Sequence, residues 1–108
     1  MISVTVIKKE GQYQSLSCLG HAGYAESGRD IVCAAVSMLV INTINAVEAF
    51  TEDGFTLDTS EEEGLIRMTF TGEVSHDSSL LMDALVMGLR ETERNYGKQF
   101  VKFTYKEV

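Results

Sequence analysis

Proline and tryptophan are absent from this sequence, and cysteine and histidine occur only twice each. Two cysteines are too few for a disulfide-rich secreted scaffold, and no Cys-x-x-Cys pair or Cys/His cluster has the spacing of a zinc site. We therefore expect a fold that needs no disulfide, metal or cofactor. Its thiols are expected to be reduced, as they are in the cytoplasm.

Positive charge is also scarce, because nine lysines and arginines stand against sixteen aspartates and glutamates, a formal charge of −7. Binding a phosphate backbone requires clustered cations, and nine scattered ones argue against direct contact with nucleic acid. The N-terminus lacks a basic start followed by a long apolar stretch, so neither a signal peptide nor a membrane span is expected. A basic or neutral partner suits this composition better.

The 108 residues suffice for a single domain, 1–108, with a core that is stable without disulfide or metal cross-links. Alternating and helical apolar patterns predict the order ββαββαβ, because two pairs of short strands are each followed by a helix and one strand closes the chain. This order favours an α+β two-layer sandwich with a largely antiparallel sheet and two main helices. The predicted elements are strands 2–7, 13–19, 55–59, 65–71 and 98–105, and helices 30–50 and 75–96.

The helix predicted over 30–50 carries apolar side chains in nearly every direction. A two-layer domain buries only one side of such a helix, so a second subunit is expected to cover the rest. The sequence therefore predicts a homodimer.

One cysteine on this helix is a candidate nucleophile. Cys33 follows the predicted N-cap, Asp30, by three residues, and free N–H groups at a helix N-terminus favour the thiolate. His21 lies in the glycine-rich segment 20–28, interpreted as a mobile loop, and could fold back as the base. Asp30 and Ser37 lie one turn on either side of Cys33 and could cap the helix, orient the imidazole or hold the substrate backbone.

The same residues also have structural interpretations. A cysteine in an Ala/Val-rich helix is often a small core residue, and Ser37 is small enough to serve helix packing alone. Cys18 shares a strand face with Leu16 and is expected in the core, whereas His76 is expected at the surface.

Residues 20–37, GHAGYAESGRDIVCAAVS, resemble the signature of the ribosomal-processing cysteine proteases, the bacterial Prp family. The Gly-His pair, the Gly-x-Asp-Ile-Val-Cys-Ala-Ala run and the following serine all fall in register. Members of that family are small cytosolic dimers that remove a short N-terminal extension from a large-subunit ribosomal protein. The resemblance thus implies that this protein acts on the same substrate. It also implies a cysteine endopeptidase activity based on Cys–His covalent catalysis.

Carried over by motif, the resemblance assigns roles to eight residues. They are the catalytic Cys33 and His21, the supporting Asp30, Ser37 and Gly20, and a substrate lid containing Gly23, Tyr24 and Gly28.

Two other functions remain open from the residues alone. One is a ribosome-associated assembly or binding factor whose cysteine is inert, and the other is a redox-sensing protein with a reactive thiol.

Overall fold

The computed structural model describes residues 1–20 and 27–108, and within them the side chains of all but 27–30. Five strands and two helices follow one another in the predicted order ββαββαβ. They are β1 (Ile2–Lys9), β2 (Gln12–Leu19), α1 (Ser27–Phe50), β3 (Phe55–Ser60), β4 (Leu65–Phe70), α2 (His76–Tyr96) and β5 (Val101–Glu107).

The strands form one sheet in the order β3-β4-β2-β1-β5. Three of its ladders are antiparallel, and the fourth, between β1 and β5, is parallel. The predicted α+β sandwich with a largely antiparallel sheet is therefore confirmed. The parallel pair joins the first strand to the last, with Ile2 opposite Val101 and Val6 opposite Tyr105.

Both helices cover the same face of the sheet. The buried strand residues Val4, Leu16 and Met68 share that face and form one continuous apolar cluster with residues of both helices. The opposite face carries rows of serine and threonine, because side chains alternate between the two faces of each strand. The sandwich therefore has two layers and one core.

The predicted start of α2 is confirmed in atomic detail. Ser75 is the N-cap, and its side chain accepts a hydrogen bond from the Ser78 amide at 3.3 Å. Asp53, in the α1–β3 connection, accepts from the amide and the hydroxyl of Ser75 at 2.9 and 2.7 Å. These hydrogen bonds lower the pKa of the Asp53 carboxyl. The start of α2 is thereby hydrogen-bonded to the connection that follows α1.

The start of α1 differs from the prediction, because the helix begins at Ser27 rather than after Asp30. No proline interrupts 27–30, one internal glycine costs only about 1 kcal/mol, and an aspartate is favourable within a first turn. Asp30 therefore lies inside the first turn, and its assignment as the N-cap is wrong.

Candidate active site

Cys33 lies in the second turn of α1 and is completely buried in the core. The earlier start of the helix changes the surroundings of Cys33, because only the first four amides of a helix lack a hydrogen-bond partner within it. In a helix that begins at Ser27 those amides precede Cys33. The predicted contribution of free helix N–H groups at Cys33 is therefore wrong, and the site depends on what else surrounds this thiol.

A second thiol lies next to it. Cys18, on β2 opposite Val4, is buried on the face of the sheet that α1 covers. Burial raises the pKa of the Cys18 thiol to about 11, and the neighbouring Cys33 thiol adds to the rise. Cys18 therefore stays protonated at neutral pH, and its predicted place in the core is confirmed.

A cavity of about 250 Å³ opens beside Cys18. Cys18 and Gly20 of the β2 end line it, together with Ser37 and Ile41 of α1 and Ile66 of β4. Its remaining walls come from the end of β3 and the β3–β4 turn, where Glu61 carries a carboxylate. Most of the lining is apolar, which suits a side chain of similar character.

Gly20 fixes the chain at the edge of this cavity. Its φ of +142° lies in a region that side chains rarely adopt, and a Cβ there would be 2.7 Å from the Met1 carbonyl oxygen and 2.9 Å from the Ile2 Cα. Its amide donates to the Gly64 carbonyl oxygen at 3.1 Å. The residue just before His21 is therefore held between β1 and the β3–β4 turn.

Of the residues singled out from sequence, Gly20 and Ser37 line this cavity, and Cys33 lies next to Cys18, which lines it too. Ser37 is half-buried, one turn beyond Cys33, and lines the cavity. The predicted base and two predicted lid residues, His21, Gly23 and Tyr24, lie outside the described residues.

Two further residues of the predicted site belong to α1. Gly28 and Asp30 both lie in its first turn. Gly28 is therefore part of the helix, in contrast to the loop position expected for a lid residue.

His76, the second of the two histidines, is at the surface, as predicted. Its side chain is 87% exposed in the first turn of α2, and its Nδ1 lies 3.3 Å from an Asp77 carboxylate oxygen. Among the described side chains, those of 1–20 and 31–108, no three of His, Cys, Asp or Glu lie together in a way that could hold a metal ion.

Sequence reasoning missed that Cys18 is the neighbour of Cys33, and that β4 contributes to the wall of the cavity. The alternation in β2 placed Cys18 on the core face. Which residue of α1 it meets depends on how the helix docks on the sheet, and that has no local signal in the sequence.

One segment of α1, Ile31–Phe50, is long and apolar enough to span a membrane by length and composition, with a mean hydropathy of 1.8 and 39% of it buried in the fold. Its buried side packs in the core with the sheet and α2. Its other side leaves Ile31 and Met38 66% and 67% exposed. The helix thus has one packed side and one apolar side that the chain itself does not cover.

Comparison with known families identifies the chain as a cysteine protease. The family model described as cysteine protease Prp matches residues 1–101, nearly the whole chain. The protein belongs to the Prp family, which confirms the resemblance carried by residues 20–37.

Two bacterial relatives support this membership. The ribosomal processing cysteine protease Prp of Bacillus subtilis is 31% identical over 101 residues, which cover 89% of this chain and 90% of the relative. The protein of the same name from Staphylococcus aureus is 24% identical over 107 residues, covering 98% and 100%.

Solved structures agree on the fold. The crystal structure of SMU.848 from Streptococcus mutans has a TM-score of 0.89 at 29% identity, covering 100% of this chain and 99% of that one. The Staphylococcus aureus protease Prp in complex with a substrate peptide has a TM-score of 0.88 at 21% identity, covering 98% and 100%.

Proposed function

We propose that this protease is an endopeptidase that removes the short N-terminal extension of a bacterial large-subunit ribosomal protein. One observation carries the placement of its active site. The cavity beside Cys18 is bounded by Gly20, which immediately precedes His21, and by Ser37, one turn beyond Cys33. Cys33 lies next to Cys18, which also lines the cavity, and His21 follows Gly20 in the sequence. These positions support the proposal that the two residues act on a substrate held there.

Catalysis would begin at the Cys33 sulfur. The Cys33 thiol gives its proton to His21, and the resulting thiolate attacks the carbonyl carbon of the scissile peptide. A C–S bond forms as the carbonyl oxygen takes up negative charge. The C–N bond then breaks, His21 gives a proton to the leaving amine, and an acyl-enzyme remains. His21 next takes a proton from water, whose oxygen attacks the thioester and releases the new carboxylate and the Cys33 thiol. The Staphylococcus aureus protease Prp has also been crystallised with a covalently linked product peptide, which is consistent with a covalent route.

The cavity would hold an apolar side chain of the substrate next to the scissile bond. Ile41 and Ile66 offer apolar walls, and the β3–β4 turn places Glu61 at the rim with the exposed Glu62 and Glu63 after it. These carboxylates would attract the basic residues typical of ribosomal proteins. Screening confines that attraction to about 8 Å at physiological salt.

The experiment is cleavage of a synthetic peptide that spans the processing site, with the products identified by mass spectrometry. We expect hydrolysis at one peptide bond. A peptide that binds without being hydrolysed would contradict the protease assignment and favour the non-catalytic assembly factor.

We also propose that the protein is a homodimer and works in the cytoplasm. Ile31 and Met38 are seven residues apart and therefore share one side of α1, with the exposed Ala34 and Ala35 between them. An exposed apolar surface of this kind typically marks a contact between proteins. Both cysteines are free thiols, which suits a reducing compartment.

Replacing Met38 with glutamate is expected to dissociate the dimer, because a second copy would have to bury an unpaired carboxylate. Light scattering over a dilution series should show a dimer for the unmodified protein and a monomer for Met38→Glu. Leu57→Glu is the matched control, since Leu57 is 50% exposed on the edge strand β3. A monomer at every concentration of the unmodified protein would contradict the dimer.

A further inference from the structure

The cations of this acidic protein are unevenly distributed. Of its nine lysines and arginines, seven lie at the end of β1, in the second half of α2 and from there to the end of β5. These seven are Lys8, Lys9, Arg90, Arg94, Lys98, Lys102 and Lys106. Along the sequence these cations are scattered, which argues against contact with nucleic acid. In the folded chain several of them lie close together.

Four of these cations line one continuous groove between α2 and β5, here named the α2–β5 groove. One part of it, about 390 Å³, is lined by Lys8, Arg90, Arg94 and Tyr105 among others. The adjoining part, about 510 Å³, shares Arg90, Arg94 and Tyr105 and adds Lys98. The shared residues make the two recesses parts of one surface.

The carboxylates of the groove are engaged in other bonds. Asp83 accepts a hydrogen bond from the Tyr13 hydroxyl, and Glu93 accepts one from the Phe103 amide at 2.8 Å.

The cations are less fully paired. Arg94 forms an exposed pair with Glu91 at 3.0 Å. Among the side chains that the structure describes, no ion pair is formed by Lys8, Arg90 or Lys98. A hydrogen bond leaves the charge of a carboxylate in place, so the four cations exceed the carboxylates of Asp83, Glu91 and Glu93 by one. Among the described side chains, the three cations free of ion pairs remain available to an anionic ligand.

Aromatic rings hold two of these cations in place. The Arg90 guanidinium lies 5.3 Å from the centre of the Tyr105 ring and 5.9 Å from that of Phe103, and the Lys8 ammonium lies 4.5 Å from the centre of Tyr13. A guanidinium supported on one side by a ring can stack on a nucleobase with its other side. The side chains of aspartate and glutamate have no ring for such stacking, so the pattern favours a nucleic acid over a polyacidic peptide.

The groove is separate from the cavity beside Cys18. Lys8 and Tyr13 are paired at one end of the β1–β2 ladder, and Ser3 and Leu19, next to Gly20, at the other. Five residues of strand, about 17 Å, separate these ends.

The Lys98 end of the groove lies at the same end of the sheet as Gly20, since Val101 pairs with Ile2, but there β1 lies between β5 and the strands that line the cavity. An RNA strand in the groove would thus leave the protease cavity open.

We propose that the α2–β5 groove binds single-stranded RNA, with Arg90, Arg94, Lys98 and Lys8 on its phosphates and the Arg90 guanidinium against a base. The carboxylates elsewhere on the chain repel the same polymer, so the RNA is confined to this side of the protein. Such contacts carry little sequence preference and weaken steeply with salt.

The test is fluorescence anisotropy with a labelled 12-nucleotide oligouridylate between 50 and 200 mM salt. Three to four phosphate contacts to a single strand predict a slope of log K against log[salt] of about −2 to −3. The double variant Arg90→Gln/Arg94→Gln is expected to weaken binding at least about tenfold at 50 mM salt. Its kcat/KM on the processing-site peptide should stay unchanged, because the groove is remote from Cys33.

The matched control is Arg67→Gln/Lys102→Gln, which removes the same charge from exposed positions on the open face of the sheet. This variant should change RNA affinity less than about threefold. Three results would each overturn the proposal. They are no binding at 50 mM salt, an equal loss in the control variant, and displacement of the RNA by polyglutamate of the same length at equal concentration.

Discussion

Replacing Cys33 with alanine is expected to lower kcat/KM on the processing-site peptide by at least about 10⁴-fold, because the proposed mechanism has no acyl-enzyme without its sulfur. The substitution removes one buried atom and should cost only about 1 kcal/mol of stability. The variant should therefore remain folded by circular dichroism. It should also bind the uncleaved peptide.

Cys18→Ala is the matched control, since it removes a buried thiol that lines the same cavity. A thiol with its pKa raised to about 11 is protonated at pH 8 and contributes almost no nucleophile. We expect this variant to keep its kcat within a few-fold, with the larger change in KM. Cleavage that survives in Cys33→Ala, or that is lost only in Cys18→Ala, would contradict the assignment of the nucleophile.

Gly20→Ala is expected to destabilise the fold by about 2–4 kcal/mol and to reduce cleavage with it. The added Cβ would meet the Met1 carbonyl oxygen and the Ile2 Cα, both backbone atoms, and the φ of +142° is unfavourable for alanine. Relief of that contact must move either β1 or the chain that leads into His21. Urea unfolding measures the first effect, and kcat/KM under fully folded conditions measures the second.

The variant Gly11→Ala separates the cost of an unfavourable backbone conformation from the cost of a steric clash. Gly11 also has a positive φ, +81°, but a Cβ there would meet nothing within 4 Å. We expect a loss of about 1 kcal/mol and unchanged cleavage, because only the backbone conformation is penalised. If Gly20→Ala were no more destabilising than Gly11→Ala, the close approach of β1 to Gly20 would have no energetic importance.

The sequence predicts much of this fold because most of its elements have local signals. Alternating apolar residues define β1, and Ser75 gives α2 a start that the structure confirms. The sheet order has no such signal, since the pairing of β1 with β5 joins residues about as far apart as the chain allows. The start of α1 is predicted too late because Asp30 is a good capping residue, yet Ser27 and Gly28 also accept helical conformation.

The candidate site, like the fold, can be predicted only in part from the sequence. The motif around Cys33 indicates a nucleophile, and the structure adds a cavity that runs from Gly20 to Ser37. Cys18 becomes part of the site only through the docking of α1 on the sheet. Net charge likewise follows from composition, whereas the grouping of cations in the α2–β5 groove depends on where α2 and β5 lie in the fold.

The parallel pairing of β1 with β5 also bears on how the protein is made. β1 can form its hairpin with β2 as soon as both have left the ribosome, but its other edge stays unpaired until residues 101–107 are synthesised. Val101, completely buried, is missing from the core until then. Contacts of such long range form late in folding. A nascent chain should therefore gain its protease activity only after β5 has been synthesised.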